Sequence, residues 1–151
     1  MKSQAMKTPK PLQALYHKFR KAGYTPPEAL YSAKVWTAFE ELESQGLVRL
    51  QADYEEECYF DVFGEPEGYI DENGQTITPE QEKANIIDMI ERLGNYYIYS
   101  QARCSECGQW QTLDSVGHCV GYEYPLSPYD NCYVVDLCQA AIDHVQQAQT
   151  H

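Results

Sequence analysis

The sequence predicts an α+β fold: about four helices with a small, mainly antiparallel sheet, in a single domain. Three observations lead there. Two helix starts carry threonine followed directly by proline, Thr25-Pro26 and Thr78-Pro79. Glycine closes three helical periodicities, at Gly23, Gly46 and Gly94. The segments between them are short β-prone runs punctuated by turn residues, and 151 residues suit one domain that buries roughly two-thirds of its unfolded surface.

Residues 1–10 read as a flexible basic tail. The single domain then spans 11–151, opening with a helical pair over 11–46. The first helix runs from Pro11 to Ala22, with Leu12, Leu15, Tyr16 and Phe19 on one face. The second has Thr25 as N-cap, Pro26 at its first position and Glu28 three residues after the cap, and runs to about Gln45. Its expected buried stripe is Tyr31, Val35, Ala38 and Leu42, with Phe39 at the edge.

Acidic strands and a hairpin occupy 47–78. Strands are expected at Leu47–Gln51, Glu57–Phe63 and Gly68–Ile70, with turns at Gly64-Glu-Pro66 and Asp71-Glu-Asn73-Gly74. A third helix covers 79–94, its core stripe Ile86, Ile90 and Leu93 with Ile87 beside it. Over 95–131 the chain reads as a strand at Tyr96–Arg103, a Cys104–Cys107 turn, strand again over Trp110–Tyr122, and a loop from Pro125 to Asn131. A C-terminal helix follows over 132–148, with Val134, Leu137, Cys138, Ala141, Ile142 and Val145 on one face.

No apolar run approaches bilayer length, and MKSQAMKTPKP lacks the apolar stretch of a signal peptide, so a cytoplasmic protein is expected. In that compartment the six cysteines read as thiols or metal ligands rather than as a disulfide framework. The net charge is −12, and it is unevenly placed. Residues 1–34 carry seven bases against Glu28 (7 − 1 = +6), and residues 35–151 carry four against 22 acids (4 − 22 = −18). Such a chain attracts cationic partners and repels nucleic acid.

Three features could carry chemistry. The first is the acidic block from Asp53 to Glu72, with nine carboxylates and no Lys or Arg. Its acids are Asp53, Glu55, Glu56, Glu57, Asp61, Glu65, Glu67, Asp71 and Glu72. Crowded carboxylates repel, so the block is either a solubilising face or a binding surface. Tyr54, Tyr59 and Tyr69 are interleaved with it, and tyrosine suits an interface because its ring supplies area while its hydroxyl tolerates water. Ordered carboxylates can imitate a nucleic-acid backbone and occupy a groove lined by Lys and Arg. Asp71, Asn73, Gln75 and Glu82 also match positions of a calcium-binding EF-hand loop, but Thr76 stands where that loop needs glycine.

The second is Cys104-Ser-Glu-Cys107-Gly108, a turn that aims two sulfurs at one point as zinc knuckles do. Cys119 and Cys132 extend it to C-x2-C-x11-C-x12-C, with His118 as an alternative ligand, so zinc is the candidate cofactor and free structural thiols are the alternative. A redox role is disfavoured because no helix start follows the pair.

The third is the basic pair of N-terminal helices. The segment ending Leu42-Glu-Ser-Gln-Gly-Leu-Val-Arg49 resembles the recognition-helix-to-wing segment of winged-helix proteins over about thirty residues. Glu40, Glu41 and Glu43 would meet phosphates badly. Phosphate-binding loops, H-E-x-x-H and G-x-S-x-G are all lacking, so a non-enzymatic protein is expected.

Arg103-Cys-Ser-Glu-Cys-Gly-Gln-Trp110, Asp114-Ser-Val-Gly and Gly121-Tyr, after an acidic middle and before a terminal helix, resemble small accessory proteins of phages and mobile elements over the C-terminal third. That likeness implies a host-modulating setting, in which acidic inhibitors of restriction or CRISPR machinery are a known type. The functional expectation is an acidic inhibitor of a basic, nucleic-acid-binding host protein, with no direct DNA binding, no membrane and a homodimer as one assembly. The alternative is a zinc-containing nucleic-acid-binding accessory protein that uses the N-terminal bases.

Overall fold

The computed structural model describes residues 10–121, 127–129 and 132–150. The basic tail and most of the loop expected over 125–131 lie outside them. The elements in chain order are α1 (Lys10–Lys21), α2 (Pro26–Ser44), β1 (Val48–Tyr54), α3 (Tyr59–Phe63), β2 (Tyr69–Ile70), β3 (Thr76–Ile77), α4 (Pro79–Leu93), β4 (Asn95–Arg103), β5 (Trp110–Val120) and α5 (Cys132–Thr150). The fold is α+β, with an antiparallel sheet in the order β1-β4-β5 and a separate two-stranded β2-β3 ribbon. The chain divides into two compact units, and each of the three long strands contributes residues to both.

The first unit comprises residues 1–51, 99–115 and 126–151. Here α2 packs against both α1 and α5. Thr25 caps α2 as its sequence demands: its hydroxyl accepts from the Glu28 N–H while the Glu28 carboxylate accepts from the Thr25 N–H. The buried face of α2 is rotated from the expected stripe. Ala29, Ser32, Ala33, Val35 and Phe39 are buried, Ala38 and Leu42 are half-buried, and Tyr31 is exposed. Phe39 sits in the core rather than at its edge because α2 has helical neighbours on two sides, so small Ala and Ser side chains are needed where the helices approach. On α5 the predicted face holds: Val134, Leu137, Cys138, Ala141 and Ile142 are buried and Val145 is half-buried. The Arg103 N–H donates to the Leu47 carbonyl, and the Arg49 guanidinium lies 4.1 Å from the Trp110 ring centre.

The second unit comprises residues 52–98 and 116–125. The strand expected at 57–63 is instead the short helix α3. Tyr59 and Phe63, four residues apart, place their ring centres 4.6 Å from each other and both rings against His118, an arrangement that a helix permits and a strand does not. Gly64, at φ 81°, ends it. The expected hairpin is present, with Tyr69 paired to Ile77 and Ile70 to Thr76. Its turn consumes Asp71, whose Oδ1 accepts from the Asn73 and Gln75 N–H groups, while Gly74 takes φ 77°. The four residues of the calcium-loop pattern are therefore divided between this turn and α4. Thr78 and Gln81 form a second capping box at the start of α4.

Little of this unit is fully buried. Among its described residues the buried set is Asn95, Tyr96, Ile98 and Cys119. No residue of α4 is fully buried: Ile86 and Ile90 are half-buried, whereas Ile87, Met89 and Leu93 are exposed. No helix among the described residues is long and apolar enough to cross a membrane.

Candidate functional site

Sorting the sequence by unit gives the charge a sharper pattern than the linear count does. The second unit holds 14 Asp and Glu against Lys83 and Arg92 (2 − 14 = −12), the whole net charge of the chain. The first unit balances nine bases against nine acids. Both bases of the acidic unit are engaged, Lys83 with Glu65 at 2.8 Å and Arg92 with Asp88 at 3.6 Å.

The block from 53 to 72 divides into residues held by the fold and residues presented to solvent. Asp53 accepts from the Tyr97 hydroxyl at 3.3 Å, and Asp71 is tied into its turn. Lost hydration, then the charges of Asp53, Glu55 and Glu56, push the Tyr97 phenol above its usual pKa. Glu56, Asp61, Glu67 and Glu72 are exposed. Tyr54 is 71 % exposed, with one face stacked on Tyr96 at 5.0 Å, and Tyr69, Val62, Phe63 and Ile70 are exposed as well. Tyr59 is half-buried.

Tyr59, Phe63, Glu65, Glu67, Glu82 and Ile86 line one cleft of about 340 Å³. Lys83 shows what this surface accepts: its ammonium lies 5.0 Å from the Phe60 ring centre while it bonds Glu65.

A second group forms where residues distant in sequence meet. Glu55, Glu57 and His118 each offer a ligand atom, and these atoms lie within 4.8 Å of one another. His118 is a non-glycine residue at φ 56°, a left-handed conformation inside β5. Its side chain is only 5 % exposed and its Nε2 stands 3.9 Å from Glu57 Oε2. The rings of Tyr59 and Phe63 pack edge-on against the imidazole. On the other edge, the Asn95 amide lies 3.0 Å from His118 Nδ1.

Of the expected zinc quartet, Cys104 and Cys107 belong to the first unit and Cys119 to the second. Cys104 and Cys107 do form the predicted turn, closed by Gly108 at φ 74°, with the Cys107 N–H donating to Cys104 Sγ at 3.3 Å. Hydrogen bonds from the Cys107 side chain and then from the Cys107 and Glu106 backbone hold the Cys104 thiol below its ordinary pKa. No third Cys, His or carboxylate joins this pair among the described residues. Cys119 is buried on β5, its thiol directed at the Val116 and Gly117 carbonyls and pushed up in pKa by burial and then by Glu55. The Cys132 side chain lies outside the described set. His118, named as the alternative ligand, faces carboxylates instead.

Sequence reasoning found Glu55 and Glu57 as members of a charged block and His118 as a neighbour of cysteine. It missed their meeting, and it missed Asn95 and Gly117. No family model matches the chain, and neither does a curated protein or a solved structure.

Proposed function

We propose that the protein is a non-enzymatic modulator whose acidic unit docks on a basic, nucleic-acid-binding protein. The observation that carries this reading is the segregation of charge. The entire −12 belongs to one unit, and the two bases of that unit are already paired. Such a field steers a cationic groove toward this unit and away from the neutral remainder.

Exposed apolar groups add contact area to the charge. Tyr54, Phe63, Tyr69 and Ile70 are exposed within the same unit. The cleft with Glu67 and Glu82 beside Tyr59, Phe63 and Ile86 suits a Lys or Arg side chain, taking the methylene stem on its walls and the charged head at the carboxylates. The likeness of the C-terminal third to phage-borne accessory proteins supports an anti-restriction or anti-CRISPR setting.

The test is a capture experiment from nuclease-treated host lysate, with the wild-type chain beside an Asp61→Asn/Glu67→Gln/Glu72→Gln variant. These three acids are exposed and none belongs to the group that Glu55, Glu57 and His118 form, so the variant reports on the surface. The reading expects a captured protein that also binds heparin, that elutes as salt rises, and that the variant fails to retain. Equal recovery by both chains counts against it. Direct binding of duplex DNA by the wild type at physiological salt would favour the nucleic-acid-binding alternative.

A further inference from the structure

The geometry points to a divalent metal site at Glu55, Glu57 and His118, of the zinc class. It adjoins the docking cleft through Tyr59 and Phe63, which pack on His118, but needs no partner protein. Two carboxylates alone would be an acidic cluster of the kind any −12 chain carries. His118 makes the difference. Its side chain is buried, its Nε2 has no hydrogen-bond partner, and that nitrogen is aimed at the carboxylates. An imidazole nitrogen buried without a partner has lost its hydration and gained nothing in exchange. A metal ion supplies the missing partner.

The donor set selects the ion. One imidazole and two carboxylates suit zinc and its transition-metal neighbours better than calcium, which takes six to eight oxygens. Three protein donors leave a four-coordinate ion one position for water. Donor atoms around a tetrahedral zinc stand about 3.4 Å apart. Here they lie within 4.8 Å, so modest inward movement closes the set, and the Glu57 side chain, 62 % exposed, is free to make it.

Two neighbours fit the same purpose. A β-carbon at Gly117 would lie 2.9 Å from Glu55 Oε2, so glycine makes room for that carboxylate beside His118. Asn95 is the group that orients the imidazole. With Nδ2 toward His118 Nδ1, the ring proton resides on Nε2 and faces Glu57. A half-turn of the amide brings Oδ1 to Nδ1 instead, which moves the proton there and frees the Nε2 lone pair for the ion. Oδ1 is buried without a partner as it stands, so the half-turn exchanges the Nδ2–H···Nδ1 hydrogen bond for Nδ1–H···Oδ1. Asn95 is thus a positioning residue for either state of the histidine.

The test uses the full chain, stripped with chelator, and Zn²⁺ alone as the probe, read by calorimetric titration and by elemental analysis after dialysis. One equivalent is expected in the wild type and in Cys104→Ser/Cys107→Ser, with loss of about tenfold or more in affinity in Glu57→Gln and in His118→Gln. Glu57→Gln alters an exposed side chain, so it keeps the test valid where His118→Gln fails to fold. Wild-type affinity in Glu57→Gln, no zinc in the wild type, or loss of the equivalent in the double cysteine variant would each overturn the assignment.

Discussion

The side-chain amide of Asn95 lies 3.0 Å from Nδ1 of His118, and these two residues occupy neighbouring strands of the same sheet. A group that hydrogen-bonds the far nitrogen of a metal-binding histidine sets metal affinity through the histidine tautomer. Asn95→Ala is therefore expected to lower zinc affinity about 10–100-fold, with all three ligands intact. A role in packing alone would change the unfolding midpoint and leave the affinity unchanged. Nitrogen NMR of His118 checks the tautomer directly: the protonated nitrogen should move from Nε2 to Nδ1 on adding Zn²⁺, in Asp61→Asn/Glu67→Gln/Glu72→Gln as in the wild type, and should stay on Nε2 at the same zinc concentration in Glu57→Gln.

Gly68 and Gly74 separate backbone strain from crowding. Both have positive φ, 82° and 77°, but a β-carbon at Gly68 would stand 2.7 Å from the Ile77 carbonyl oxygen, whereas at Gly74 it meets open space. Gly74→Ala is expected to cost about 1 kcal/mol, the strain of the left-handed conformation. Gly68→Ala should cost about 2–3 kcal/mol, because a backbone atom must also shift. Urea unfolding of the two variants measures the difference, and equal losses would show that the ribbon relaxes around the new methyl.

The two capping boxes differ in one atom type, and that difference is testable by pH. Thr78→Ala should cost about 1 kcal/mol at every pH from 3 to 8 (on the order of a single cap), because Gln81 does not titrate. Thr25→Ala should cost a similar amount near neutrality. There Glu28 accepts from the Thr25 hydroxyl and then from its backbone N–H, which holds its carboxyl below the ordinary value. A depressed carboxyl contributes stability that is present above its unfolded pKa and lost as pH falls through the folded one. The penalty of Thr25→Ala should accordingly shrink on acidification while that of Thr78→Ala stays level.

Cys104 should be the most reactive thiol among Cys104, Cys119 and Cys138. Its pKa is lowered by the Cys107 side chain and neighbouring N–H groups, so more of it is thiolate at neutral pH. Burial pushes Cys138 up, with Glu43 and Glu40 adding to it, and Cys119 is raised by burial and then by Glu55. Brief iodoacetamide treatment followed by peptide mass spectrometry should find Cys104 modified before the other two. Cys107→Ala should slow that modification. If Cys119 or Cys138 were labelled as quickly as Cys104, the burial assigned to them would be wrong.

What the sequence determined by itself is local. Thr25, Pro26 and Glu28, like Thr78 and Pro79, set helix starts because their partners lie within three residues, and both starts form as read, the second completed as a box by Gln81. The Cys104–Cys107 turn and the Asp71–Gly74 hairpin are equally local, and so is the buried face of α5. The acidic character of 53–72 needed only composition. Tertiary structure decided everything that depends on which strands lie side by side. Tyr59–Phe63 became a helix when its apolar residues, at helical as much as strand spacing, closed over His118. His118 lies more than sixty residues from Glu55 and Glu57 in the chain, and only the order β1-β4-β5 with β5 turned at that residue brings imidazole and carboxylates together. Periodicity reports which face of an element is apolar; it carries no information about sheet register, and register is what builds this site.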